Sequence, residues 1–309
     1  MTMETSSVVL TGGLALPDGT VLVRANTKAA VDVRTSPSVI VPWRTDGPGR
    51  PTLLPKGITG QCNDPSNEVG TLALGFDGSV FSIVSSGVSQ TSCFSRPDDQ
   101  PPNQWMHSLR AIGSDVYAVG MNYSVRVRRS DGQWTDMADR IDEYLGLDEL
   151  GGFLDVGGID SRQIVAVGTS GLIAVFDGGT WVRVPSPTSV TLSSIVVLPS
   201  GECAIGGQRG VLLVGRPDSL RVIELPTPEE DVMSCEYFDE KIFVATRKRV
   251  FYLRENDLVA CALKQGSGRP SAGFLTAAGG VLWSIGASAI FVLQQDVWIE
   301  VPSPFQKEK

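Results

Sequence analysis

Apolar and polar positions along this chain come in short bursts, and the bursts repeat. Residues 163–187 read QIVAVGTSGLIAVFDGGTWVRVPSP. An apolar run reaches Gly168, a tight turn follows, a second apolar run ends at a polar turn, and a Trp-led run closes in Val-Pro-Ser-Pro. Short runs rich in β-branched residues and bounded by Gly, Asp and Ser read as strands and turns. Residues 281–304, VLWSIGASAIFVLQQDVWIEVPSP, follow the same plan. The closing tryptophans Trp181 and Trp298 lie 117 residues apart, three periods of 39. Two copies fill the interval: ECAIGGQRGVLLV followed by SLRVIELPTP, and KIFVATRKRVFYL followed by DLVACAL.

Gly168, Gly206, Thr246 and Gly286 mark equivalent places, with Gly120 in DVYAVGMNYSVRVR one copy earlier and a longer interval after it. DGSVFSIV from Asp77 and DGTVLVRA from Asp18 are weaker copies, which makes seven. Each copy also has a leading apolar run, such as HSLRAI, GGFLDVG or SCEYF. Four short strands per roughly 40 residues is the blade of a β-propeller. The expected fold is therefore all-β: a single closed propeller of about seven four-stranded blades, six or eight being the alternatives. It forms one domain over residues 1–309, with units near 12–35, 70–95, 108–138, 152–187, 192–228, 233–262 and 272–304. Residues 36–67, rich in Pro and Gly, and 136–152, with a helix-like pattern, read as insertions. The strand at residues 6–11 lies outside the first unit and is expected to complete the last blade, since an unpaired sheet edge is a liability.

Val167-Gly168, Gly171 and Asp177-Gly178-Gly179-Thr180-Trp181 carry a pattern that resembles the YCF48-like and BNR-type propeller repeats, with Ser130-Asp131-Gly132-Gln133-Trp134 a second instance. The resemblance implies a fold rather than an activity. The same stretch is similar to the Asp-box of sialidases, but no arginine cluster or Tyr–Glu nucleophile pair accompanies it. The expected roles are local: the Asp caps turn N–H groups and the Trp packs between blades.

Composition narrows the function. With 42% hydrophobic residues the chain can bury a large core. Its longest uncharged apolar runs fall well short of the ~20 residues that span a bilayer, so no membrane partner is expected. The N-terminal residues show no signal-peptide pattern, which makes cytoplasmic residence the expectation. A net charge of −8 argues against nucleic acid, whose binders cluster Lys and Arg. The five cysteines form no C-x-x-C pair and signal neither a disulfide framework nor zinc. His107 is the only histidine; it leaves no two-histidine metal site and no identifiable catalytic triad. Neither cofactor nor metal is expected.

Loops on a rigid scaffold are where binding specificity resides. Candidate partner-binding residues are the acidic and aromatic group Asp139, Asp142, Glu143, Tyr144, Asp148 and Glu149, and the hairpin cations Arg209, Arg247, Lys248 and Arg249. The expected function is a monomeric, non-enzymatic scaffold that binds another protein. Such a role suits a bacterial immunity protein that neutralises a basic toxin or effector, or an assembly factor. The alternative is a glycan-binding or sialidase-like propeller that uses Trp134, Trp181 or Trp298 as stacking surfaces.

Overall fold

A computed structural model describes residues 8–27, 36–44, 47–67, 70–94, 105–138, 141, 151–264, 271–302 and 305. These residues are almost wholly strand and turn. Blade 1 holds β1 (Val8–Ala15), β2 (Val21–Thr27), β3 (Ser38–Arg44) and β4 (Gly47–Pro48), with β5 (Thr52–Leu54) also paired to β3. Blade 2 is β6 (Ile58–Asn63), β7 (Thr71–Gly75), β8 (Ser79–Val84) and β9 (Gly87–Ser92). Blade 3 is β10 (Met106–Ile112), β11 (Asp115–Gly120), β12 (Val125–Arg128) and β13 (Trp134–Asp136). Blade 4 is β14 (Phe153–Asp160), β15 (Gln163–Gly168), β16 (Ile173–Phe176) and β17 (Trp181–Arg183).

Blade 5 is β18 (Leu192–Val197), β19 (Cys203–Gly207), β20 (Val211–Gly215) and β21 (Arg221–Glu224), and blade 6 is β22 (Ser234–Phe238), β23 (Lys241–Ala245), β24 (Val250–Arg254) and β25 (Asp257–Ala260). Blade 7 is β27 (Gly273–Ala278), β28 (Val281–Gly286), β29 (Ile290–Gln294) and β30 (Val297–Val301), with β26 (Leu263–Lys264) laid on its outer edge. The fold is an all-β propeller of seven four-stranded blades.

The chain forms two compact units. One, residues 58–228, holds blades 2 to 5; the other, residues 1–57 and 229–309, holds blades 6, 7 and 1. Within each, the first strands of consecutive blades pack on one another, and the fourth strand lies outermost except in blade 7, where β26 lies beyond β30. The second strand of each blade is the most apolar and the most buried: DVYAVG, CAIGG and QIVAVG contain nothing exposed beyond Gln163. In blades 3 and 4 such a strand is covered on both faces, by the blade before and the blade after.

Buried polar groups tie neighbouring blades together. In the unit of residues 58–228, the Asp155 carboxylate on β14 accepts from Ser108 Oγ (2.6 Å) and from Arg110 Nε and Nη2 (3.2 and 3.0 Å) on β10. It also accepts from the Ile195 N–H on β18 (3.0 Å), so one side chain joins three blades. A buried carboxylate needs such a full set of donors, because stripping its water is costly. In the other unit, Ser234 Oγ accepts from the Leu275 N–H at 3.1 Å, and Thr276 Oγ1 from the Ala15 N–H at 2.9 Å.

Three sequence expectations need correction. Residues 36–67 are not an insertion: they carry β3, β5 and β6. Pro37, Pro51 and Pro55 flank strands and Pro48 lies on the outer strand β4, where a missing N–H is tolerated, while Pro42 and Gly60 lie within β3 and β6. The N-terminal strand does not complete the last blade: β1 pairs with β2 from Val8↔Thr27 to Ala15↔Val21, and blade 7 has four strands of its own. The ladder also places Gly207, not Gly206, opposite the start of a first strand, as Gly168 lies opposite Phe153. Most of the second expected insertion, including its helix-like part, lies outside the described residues.

The recurrent glycine has a steric cause. Gly168 has an extended φ of −166°, and a Cβ there would lie 2.0 Å from the Gly152 carbonyl oxygen. At Gly120 it would lie 2.2 Å from the Trp105 oxygen. Backbone passes over backbone at this point in both blades. Gly168→Ala is expected to destabilise the protein by about 2 kcal/mol through overpacking; an unchanged chemical-denaturation midpoint would contradict this account of the repeat.

Candidate functional site

The sequence-predicted residues separate into three groups. Asp139, Asp142, Glu143, Tyr144, Asp148 and Glu149 lie outside the described residues. Arg209 is exposed at φ 55° in the β19–β20 turn. Arg247, Lys248 and Arg249 are exposed in the corresponding β23–β24 turn of the other unit. Arg249 is committed locally: it ion-pairs with Glu230, which also accepts from Thr246 Oγ1. Thr246 Oγ1 in turn accepts the N–H groups of Lys248 (3.2 Å) and Arg249 (3.0 Å). This turn is held rigid by its own charges.

The Asp-Gly-Gly-Thr-Trp stretch is architectural. Asp177 Oδ1 accepts the N–H groups of Gly179 and Thr180, both at 2.9 Å, and these bonds hold its carboxyl below the usual range. Trp181 stacks on Phe153 with centroids 6.0 Å apart, contacts Phe176 at 5.4 Å, and donates Nε1–H to the Met137 carbonyl of blade 3. Trp134, Trp181 and Trp298 are all buried. The surfaces on which the glycan alternative relied are therefore filled by protein.

Each of these tryptophans occupies the wedge between its own blade and the preceding one. At the wedge of blades 3 and 4, Trp181 and Phe176 meet Tyr117 and Val127. At that of blades 6 and 7, Trp298 meets Phe243 and Tyr252. The wedge of blades 4 and 5 differs. Ladder register makes Val165 and Val175 the counterparts of Phe243 and Tyr252, because each pair lies opposite one another two residues before the hairpin closes. Likewise Leu293↔Trp298 in blade 7 corresponds to Gly215 and Leu220 in blade 5, one step beyond Val214↔Arg221. All three aromatic positions have become aliphatic. Gly215 has φ 135°, and a Cβ there would sit 2.7 Å from the Ser219 oxygen, so that backbone excludes a side chain.

The result is a cavity of about 710 Å³ between blades 4 and 5, against about 360 Å³ at the wedge of blades 6 and 7. Val165, Val175, Phe176, Val184 and Val197 line it, and Val182 (52% exposed) and Ile159 (40%) stand at its mouth. Exposed apolar side chains gathered in a concave site mark a binding surface. Sequence reasoning missed this site because it matched blades by glycine and Trp. The stretch SLRVIELPTP that closes blade 5 carries no Trp, whereas TWVRVPSP in blade 4 does.

Comparison with known proteins places the chain. No family model matches it. The immune protein Tsi7 of Pseudomonas aeruginosa is 32% identical over 234 residues, which is 74% of this chain and 75% of that protein. The chain belongs to the Tsi7 family. Among solved structures, the WD40 β-propeller domain of Doa1 matches with a TM-score of 0.69 at 11% identity, over 94% of this chain and 96% of that one. The extracellular domain of a hybrid two-component system protein from B. thetaiotaomicron matches with a TM-score of 0.69 at 10% identity. That match covers 94% of this chain, which spans only 39% of the matched one. At such identities these structures show the propeller fold that this Tsi7-family chain adopts.

Titratable groups in this member of the Tsi7 family serve the fold. All five cysteines are free; burial pushes Cys93 and Cys203 up to about 12 and Cys261 up to about 11, so these thiols stay protonated at neutral pH. Among the described residues, no three His, Cys, Asp or Glu side chains gather as metal ligands. His107 packs edge-on against Phe76, with centroids 6.1 Å apart, and burial lowers its pKa. Below the unfolded value of about 6.5 the unfolded chain takes up the proton first, so stability falls with pH there. The carboxyls of Asp18 and Asp64 are lowered instead, and their window lies below about 4. Melting temperature is therefore expected to drop between about pH 6.5 and 5, and His107→Gln to flatten that slope. An equal slope in the variant would assign the effect elsewhere.

Proposed function

We propose that this protein is a non-enzymatic scaffold of the immunity type, which binds a toxin protein and holds it inactive. The observation that carries the reading is its match to a protein named for immunity over three quarters of both chains. The propeller suits that task. Its blades are cross-tied through buried groups such as Asp155, so a binding surface is pre-organised and little entropy is lost on association. Stable neutralisation calls for a dissociation constant near 1 nM, about −12 kcal/mol, and an interface of roughly 1,600 Å². An open apolar wedge with charged rims supplies the kind of buried anchor site that dominates such interfaces.

The likeness to YCF48-like and BNR-type repeats concerns the Asp-capped turn and the Trp that follows it, and it adds nothing to the choice of partner. The burial of Trp134, Trp181 and Trp298 weighs against a glycan-stacking role.

Co-expression with the product of the neighbouring gene in a laboratory bacterium tests the reading. The expected result is rescue of growth from toxin arrest, with the two proteins co-eluting as one stoichiometric complex. Growth arrest that persists despite full expression of this chain would overturn it.

A further inference from the structure

We propose that the wedge between blades 4 and 5 receives an extended segment of the partner protein. This segment pairs with the outer edge of β21, buries an aromatic side chain between the blades and sets a carboxylate against the rim. The proposal rests on the partner-binding reading above and names where and how that binding occurs.

The protein itself shows the mode. In the unit of residues 1–57 and 229–309, β26 lies parallel on the outer strand β30, with Leu263 opposite Trp298 and Lys264 opposite Ile299. Leu263 thereby packs into the wedge of blades 6 and 7, on the cluster of Phe243 and Trp298. Strand β21 is the counterpart of β30 in blade 5. The connection that leads into blade 5, residues 184–191, contains no strand, and among the described residues nothing pairs with the outer edge of β21. One wedge is closed by a segment of its own chain, whereas the equivalent slot is open. An exposed strand edge beside a side-chain pocket is the arrangement used for recognition by strand addition.

Volume sets the side chain. The positions that hold Phe243, Tyr252 and Trp298 in the closed wedge hold Val165, Val175 and Leu220 in the open one. The missing mass is aromatic, so an aromatic residue is the natural filler. Charge sets its neighbour. Arg162 and Arg216 stand at the rim, exposed, and among the described residues neither is in an ion pair. The rim acids are already served by their own turns: Asp177 by the Gly179 and Thr180 N–H groups, Asp218 by Ser219 Oγ. Asp177 and Asp218 keep their charge and balance the rim overall, but the rim donors left unengaged among the described residues are the guanidinium groups of Arg162 and Arg216, and a carboxylate is the acceptor that suits them. This part of the interface thus selects an acidic-aromatic segment, although the chain as a whole is acidic.

Two variants test the proposal against the toxin recovered by co-expression. Leu220→Trp restores the residue found at Trp181 and Trp298; Arg162→Glu combined with Arg216→Glu reverses the rim and touches only exposed side chains. By calorimetry, the first is expected to weaken binding about 100-fold with an unchanged or higher melting temperature, and the second about tenfold. The second also keeps the test open should the first fail to fold. Wild-type affinity in both variants overturns the wedge while leaving the immunity reading intact; failure of the wild type to bind the toxin overturns the reading first. A wild-type dimer in solution that Leu220→Trp converts to monomer would assign the wedge to a second copy and overturn the proposal. Without the toxin, 8-anilinonaphthalene-1-sulfonate, an aromatic anion, serves as a probe. Its fluorescence with the wild type is expected to fall about fivefold in Leu220→Trp, and equal fluorescence in both would contradict a ligand-accessible wedge.

Discussion

A four-stranded sheet that is apolar on both faces cannot bury either face alone, and everything in this protein depends on how neighbouring sheets fill the wedge between them. First strands approach closely enough for direct packing, but the sheets diverge toward their fourth strands. Only a large side chain spans the gap there. Trp134, Trp181 and Trp298 do this from the outer strands, each with its apolar body between two blades. The Asp-Gly turns before Trp134 and Trp181, capped by Asp131 and Asp177, aim those strands. The glycines at the ends of second strands let backbone pass over backbone at the opposite end of the hairpin. Repeat period, turn chemistry and tryptophan spacing are all consequences of one packing problem solved several times.

Where that solution is abandoned, the protein gains a surface. Holding Val165, Val175 and Leu220 where another wedge holds three aromatics forfeits interior packing there, and Val182 and Ile159 stand exposed at the mouth of the gap. Removal of buried aromatic mass costs about 3–5 kcal/mol per residue in an intact core, so natural cores keep such gaps where something else fills them. The neighbouring ties through Asp155 keep blades 3, 4 and 5 in register while the wedge stays open. Rigidity and vacancy are thus adjacent, the combination a preformed binding site requires.

Much of the fold was legible in the sequence because the wedge problem recurs at a fixed interval. The strands of blades 3 to 7 follow the apolar runs closely, and the seven-blade count holds. Blades 1 and 2 were misaligned for a specific reason. The Asp-Gly pairs at Asp18 and Asp77 close different hairpins, β1–β2 and β7–β8, whereas those at Asp131 and Asp177 lie between third and fourth strands. A turn motif reports a tight reversal, not its place in the blade. Strand β3 was read as loop because Pro42 and the prolines after it suppress the strand signal, although Val39, Ile40 and Val41 are buried. Strand β26 is two residues long and owes its existence to β30, so no local pattern announces it. The candidate site was missed for a related reason: charged turns such as Arg247 to Arg249 stand out in a sequence, while a valine in place of a tyrosine does not.

The immunity reading and the proposed site in the open wedge together make one claim, that this propeller holds its partner through blades 4 and 5. Amide hydrogen exchange of the free protein and of its toxin complex tests the claim most directly. The account predicts slowing by about tenfold or more at the amides of β21, Arg221 to Glu224, together with protection along β17. Protection confined to the hairpin turns at 208–210 and 246–249, with β21 exchanging as fast as in the free protein, would contradict it.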